Sequence, residues 1–311
     1  MLSRTASSLY WLGRYFERAD FIARLVEATV RLDVLSARPA GQAAWASALA
    51  VTDTTQAFAT GGRELRRREV ARFLTVETSH PGSIVRCVEM ARLNARAVRT
   101  ALTREAWTAI NQAWLTFAAK PSADDPTAVL ALTDAVKHET RGFEGAVHRM
   151  LRNQTTWFIR LGQAVERADN TARLLDVKYH LLLPEGEPVG GVVDRDQWTG
   201  ILRTVSAVTA YRWLYRDGLK PWLVAEFLIL RDELPRSLMN SVERIVTLLN
   251  RIGQRTGRQG EADRLARRCR QEMRGTSSEA LFQGGLHEYL GRFIADIGAL
   301  DRAISQQFRF T

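Results

Sequence analysis

The chain has 311 residues, 46% hydrophobic and 25% charged, values ordinary for a globular protein large enough to bury a sizeable core. Its net charge is +10, and all but Lys120, Lys137, Lys178 and Lys220 of its 44 basic residues are arginine. Two cysteines, Cys87 and Cys269, without a CxxC pair argue against a zinc-ribbon or disulfide framework, and no P-loop, GxGxxG, GxSxG or HExxH spacing occurs.

The N-terminal stretch lacks an apolar h-region, and Glu17 and Asp20 arrive too early for an Arg-rich transit peptide. From Ser3 to about Leu35, apolar residues recur at three and four (Leu9, Leu12, Phe16, Ala19, Ala23, Val26, Val30), which predicts one long amphipathic helix. Pro81-Gly-Ser83 and, later, the segment ending Pro235-Arg-Ser237 read as helix starts with proline in the first turn. A plain capping role is favoured there over an anion held by Arg236 beside Ser237. The longest uncharged run, Ala106 to Ala119, is too short to span a bilayer. Pro-free spans over 127–183 and 236–311 predict further long helices, and 184–191 reads as a Pro/Gly connector. The arginine-dense stretches Arg63–Arg68 and Arg264–Arg274 carry interleaved Glu and no stacking aromatics, so they read as solvated helix faces. Trp107, Trp114, Trp157, Trp198, Trp213 and Trp222 fall at helical spacings and read as core or interface residues. The expectation is an all-α cytoplasmic protein without a cofactor or a metal site.

A repeat organises the chain. Glu17-Arg-Ala-Asp-Phe-Ile-Ala-Arg-Leu25 recurs as Glu166-Arg-Ala-Asp-Asn-Thr-Ala-Arg-Leu174, with Gly13 matching Gly162. Val70-Ala-Arg-Phe-Leu74 recurs as Val224-Ala-Glu-Phe-Leu228, followed by the two Pro-x-Ser elements. The chain therefore reads as a tandem duplication, 1–150 and 151–311, packed as one bundle about a pseudo-twofold axis.

Within each half one helical strip is charged. At about 100° per residue, Gly13, Glu17, Asp20 and Arg24 fall within about 60° of one another, bordered by apolar residues on both sides. Gly162, Glu166, Asp169 and Arg173 repeat the strip. Buried carboxylates need partners: Arg24 stands one turn from Asp20, and Arg18 and Arg167 can serve a neighbouring helix. Glu89 with Arg92, and Glu243 with Arg244, extend the candidate network. The favoured reading is a structural ion-pair network. The second is a polar pocket taking a carboxylate, phosphate or peptide group. A dimetal carboxylate site ranks last, since no histidine accompanies the carboxylates and an arginine shares the strip.

The segments Leu2-Ser-Arg, Tyr10-Trp-Leu-Gly-Arg-Tyr15, Glu17-Arg-Ala-Asp20 and Ala23-Arg-Leu25 resemble the opening of the alpha-E family, a bacterial all-helical family. The likeness continues through Glu89-Met-Ala-Arg-Leu-Asn-Ala-Arg96, Trp107, Asn111, Glu166 to Arg173 and Pro235-Arg-Ser237. Leu93 departs from the acidic residue usual in the family, while Arg92, Asn94 and Arg96 remain. The resemblance implies a genomic setting beside, or fused to, a circularly permuted ATP-grasp ligase, often with a transglutaminase-like protein. It suggests an accessory, substrate-presenting partner of a peptide- or amide-forming system. Two alternatives stay open: an enzyme using Glu17, Asp20, Glu166 and Asp169 as acid/base groups, and an arginine-rich polyanion binder. Nucleic acid is the disfavoured polyanion, no membrane is expected, and a homo-oligomer is compatible with the sequence.

Overall fold

The computed structural model describes residues 1–35, 38–119, 121–180, 191–216, 218–283 and 285–310. Its first half carries α1 (Ser3–Leu35), α2 (Arg38–Val51), α3 (Thr55–Thr60), α4 (Arg67–Thr75), α5 (Ile84–Ala97), α6 (Arg104–Ala118) and α7 (Pro126–Arg149). The remainder carries α8 (Gln154–His180), α9 (Val192–Thr204), α10 (Val208–Leu214), α11 (Pro221–Leu230), α12 (Leu238–Thr256), α13 (Glu261–Arg274), α14 (Ser278–Gln283) and α15 (Leu286–Phe308). No strand occurs among the described residues. The fold is all-α, as the periodicity predicts.

Helix α1 spans the predicted 33 residues, and its seven periodic apolar positions are all buried. Tyr10, Phe21 and Leu25, on the other border of the charged strip, are buried as well. A helix apolar on nearly every side belongs in the interior. It packs along α8, the other long central helix. Helices α5 and α7 cover α1 from one side, and α12 and α15 cover α8 from the other. One continuous apolar core runs from Ala6 to Phe308 and takes in both halves.

Serine starts both helices that follow the Pro-x-Ser elements. Ser83 is extended (φ −66°, ψ 155°) and its hydroxyl accepts from the Arg86 amide; Ser237 (φ −74°, ψ 160°) accepts from the Asn240 amide. A hydroxyl in that position satisfies a free amide of the first turn. Pro81 and Pro235 consequently lie before the helices, outside the first turn where the sequence placed them. Of the connector expected at 184–191, only Gly191, the N-cap of α9, lies among the described residues.

Two other expectations change. Arg63 to Arg66 belong to a loop ahead of α4 instead of a helix face. Trp198 is buried and Trp107, Trp114 and Trp157 pack against the core, but Trp213 is 78% and Trp222 50% exposed. The reason is local: α10 is seven residues long and buries only Tyr211, and Trp222 sits at the outward start of α11. No helix among the described residues is long and apolar enough to cross a membrane.

Candidate functional site

The two central helices touch at their glycines. A Cβ on Gly13 would overlap the Ile159 carbonyl and stand 3.2 Å from the Gln163 amide; one on Gly162 would overlap the Tyr10 carbonyl and stand 3.2 Å from the Arg14 amide. The contact is reciprocal, and only glycine lets two helix backbones approach so closely. That approach brings the strips one turn further along within reach of each other.

At the crossing each Glu-Arg pair grips the other. The Arg18 guanidinium donates to both oxygens of Glu166 (2.6 and 3.0 Å), and Arg167 donates to both oxygens of Glu17 (2.9 and 2.5 Å). Each glutamate also receives a second arginine: Arg14 donates to Glu166 at 2.7 Å, and Arg236 to Glu17 at 3.2 Å. Glu17 and Glu166 are 3% and 2% exposed, so these fork-like arginine pairs, and not water, satisfy their carboxylate oxygens. Glu166 shows the balance: burial pushes its pKa up, but Arg18 and Arg14 pull it down to about 2.

The aspartates differ between the halves. Asp20 is buried and takes Arg24 at 2.7 Å, Arg236 at 2.7 Å and the Thr140 hydroxyl at 2.9 Å, and its pKa lies below the usual range despite burial. Asp169 has Arg173 alone at 2.9 Å, and burial holds its pKa above the ordinary value. Arg236 thus serves Glu17 and Asp20 together, one residue before the Ser237 cap. The network is denser on the Asp20 side.

Other candidates lie elsewhere. Glu89 pairs with Arg86 on its own helix, not with Arg92. Arg92 donates to Asn111 at 2.9 Å and lies over the Trp114 ring, and the Asn94 amide donates to the Met90 carbonyl. Arg96 is exposed on α5. Glu243 pairs with Arg270 and Arg274 of α13. The extension drawn through Glu89, Arg92, Asn94, Arg96 and Glu243 therefore separates from the crossing: partners on the same or an adjacent helix take Glu89, Arg92, Asn94 and Glu243, and Arg96 faces solvent.

Arg244 does reach the central region, in a way the sequence did not suggest. It lines a cleft of about 280 Å³ between α7, α8 and the start of α12, with Arg160, Arg167 and Arg236. Glu144 is the only carboxylate in the lining, 3.4 Å from Arg167; burial and the like charge of Glu17 raise its pKa. Arg160 and Arg244 have no ion-pair partner among the described residues, and partial desolvation by the cleft walls, with neighbouring arginines, pulls both guanidinium pKa values down. The cleft is a polar hollow with surplus positive charge.

Arg14, Thr140, Glu144 and Arg160 were missed by the sequence reading. Arg14 alone had a usable signal: it lies one turn before Arg18, on the side of α1 that meets α8. No group of three or more His, Cys, Asp or Glu able to hold a metal occurs among the described residues. Both cysteines are free and buried.

Residues 1–308 match the model of the Alpha-E family, described as "a predicted alpha-helical domain with a conserved ER motif". The Glu-Arg dipeptides at 17–18 and 166–167, locked together at the crossing, fit that description. Among curated proteins, "Uncharacterized protein Mb2597" of Mycobacterium bovis and "Uncharacterized protein MT2643" of Mycobacterium tuberculosis are each 32% identical over 149 residues. That stretch is 43% of this chain and 16% of each relative, so the chain spans a small part of the proteins it matches. No solved structure matches it. With the family model covering the chain from its first helix to the end of α15, the protein belongs to the Alpha-E family.

Proposed function

We propose that this protein is a non-enzymatic, substrate-presenting partner of an ATP-grasp amidoligase or transglutaminase-like system, and that its arginine-lined cleft takes an anionic group of the peptide or amino acid being processed. The observation that carries the reading is the cleft itself: four arginines face one carboxylate, and two of the four have no counter-ion among the described residues. A guanidinium matches a carboxylate with two parallel donors, the geometry the protein already uses on Glu17 and Glu166. The family resemblance is what supports the ligase association in this proposal, with the presented group belonging to a peptide-forming system.

The scaffold is a tandem duplication of 1–150 and 151–311 in this proposal, and the matching details support it. Asp53 and Ser206 are non-glycine residues at φ 56° and 58°, each just after the helix that follows a central one. Arg24 donates to Ser206 at 2.5 Å, and Arg173 reaches Asp53 at 3.3 Å. Duplication also explains why there is one such cleft. By the repeat offsets, Trp11 stands where the second half has Arg160, Met90 where it has Arg244, and Gly82 where it has Arg236. Of the four cleft arginines only Arg167 has a cationic counterpart in the first half, Arg18.

Acid/base chemistry at the crossing has less support. Glu166 at about pKa 2, clamped by two arginines, is a poor proton donor or acceptor near neutrality.

Isothermal titration of N-acetylglutamate, together with co-elution from the neighbouring ATP-grasp protein, tests the reading. Binding lost in Arg244→Gln, with a stable complex between the two proteins, is the expected result. A ligase fully active and unassociated in the absence of this protein sinks it.

A further inference from the structure

The cleft does not stand alone. Arg160, at its edge, has its guanidinium pushed down by Arg152 and Arg251 as well as by burial, so these side chains are near neighbours. Arg152, Arg251 and Arg255 line a second, more open hollow of about 410 Å³, and Arg255 also lines a third of about 230 Å³. On α12, Arg244, Arg251 and Arg255 are exposed and fall within about 40° of one another at 100° per residue, a single stripe beside the buried face. None of Arg152, Arg160, Arg244, Arg251 and Arg255 has a carboxylate partner among the described residues. Some exposed arginines elsewhere, Arg68, Arg72, Arg268 and Arg274 among them, do pair with Asp or Glu. The second hollow also contains Trp157, whose buried indole N–H has no hydrogen-bond partner.

An uncompensated row of cations is costly through mutual repulsion, and an acidic ligand laid along it would relieve that repulsion. Along α12 the steps from Arg244 to Arg251 and from Arg251 to Arg255 are about 10 and 6 Å. An extended chain repeats side chains on one face every 6.6–6.8 Å or so. The step from Arg251 to Arg255 matches that repeat, and the long arginine side chains span the wider step from Arg244, so carboxylates on one face of a strand-like peptide can meet successive arginines. A single-stranded nucleic acid would instead need a series of aromatic faces for its bases, and this row has one half-buried tryptophan.

We propose that the arginine row from Arg244 through Arg160, Arg251 and Arg152 to Arg255 is a binding track for an extended acidic peptide whose leading carboxylate occupies the cleft. The inference rests on the cleft reading above and names its ligand class. The track holds several carboxylates at once, so affinity rises with the number of acidic residues and falls steeply with salt.

Fluorescence anisotropy of fluorescein-labelled diglutamate and octaglutamate on the full-length protein at low salt tests it. The expected result is octaglutamate binding at least tenfold tighter than diglutamate, with Arg251→Gln and Arg255→Gln each weakening octaglutamate roughly tenfold and leaving diglutamate unchanged. Arg251→Lys retains part of the affinity, and Arg264→Gln, on the far side of α13, changes nothing. These side chains are exposed, so the variants are checked for wild-type melting before titration. Length-independent binding that responds only to Arg244→Gln overturns the track and leaves the cleft standing. No binding of either peptide overturns both. An oligothymidylate of equal charge binding as tightly as octaglutamate overturns the peptide assignment.

Discussion

Gly13 lies directly against the Ile159 carbonyl, with no room for a side-chain carbon between them. The whole ion-pair arrangement depends on that approach, since Arg18 and Glu166 sit one turn beyond it. Gly13→Ala and Gly162→Ala should each lower stability by about 1–3 kcal/mol, the usual cost of overpacking. Gly142→Ala is the control: nothing lies within 4 Å of a Cβ there, and alanine should gain about 0.5–1 kcal/mol by helix propensity. Urea denaturation of the three variants measures the contrast.

Glu166 sets a low-pH limit on the fold. Its pKa is depressed in the native state, from an ordinary 4.5 to about 2, so the unfolded chain takes up the proton first. The stabilisation is complete above the unfolded value and is lost as pH falls from about 4.5 to 2. Glu166→Gln should be less stable at neutral pH by about 3–5 kcal/mol, because Arg14 and Arg18 lose their anion. Its unfolding free energy should also change less with pH across that acid window.

His80 acts in a different window. Stacked on Phe73, with its Nε2 buried and lacking a partner, it resists protonation: burial, with help from Arg63 and Arg18, lowers its pKa from 6.5 to about 4. The unfolded histidine protonates first, so stability declines as pH drops from 6.5 toward 4. In His80→Phe that decline should vanish while the Glu166 window is retained. Chemical denaturation at a series of pH values separates the two.

Cys87 and Cys269 should be silent to thiol reagents in the native protein. Burial raises both thiols to about 12, leaving almost no thiolate near neutrality. Neither should react with Ellman's reagent until the chain unfolds, and both should then react together. Reaction of either one under native conditions would show local opening of α5 or α13.

Glu144 is the one carboxylate opposing an anion in the cleft. Glu144→Gln should tighten binding of N-acetylglutamate several-fold. It should also weaken the pH dependence of binding, since the raised pKa of Glu144 means that its charge appears late as pH increases. Titration calorimetry at two pH values reads both effects.

The charged strip was legible because its periodicity and its apolar borders are both local properties of α1 and α8. Arg18 and Arg167 are legible as arginines free to serve a neighbouring helix, but their partners, Glu166 and Glu17, depend on how the two strips meet. Arg236 is harder: the local sequence favours capping over an anion at this element, and the structure has both, with Ser237 as the cap and Arg236 on Glu17 and Asp20. Glu89 and Glu243 were misassigned because Arg86 and Arg274 satisfy them at closer range. The cleft is legible only in part: Arg167, Arg236 and Arg244 are candidates from the sequence, but their grouping with Glu144 and Arg160 is not. Glu144, Arg160 and Arg244 come from three helices, and only the angles between those helices bring them together.

Finally, the reciprocal crossing has a consequence for synthesis. Glu17 emerges from the ribosome with α1, but Arg167 follows about 150 residues later. At roughly 5–20 residues per second, α1 waits on the order of ten seconds or more for the helix that completes it. Until then α5 and α7 can cover one side of α1, but the face that meets α8, with Gly13 and Glu17, stays uncovered. The first half buries its central helix on that one side alone, and the crossing forms only when α8 arrives.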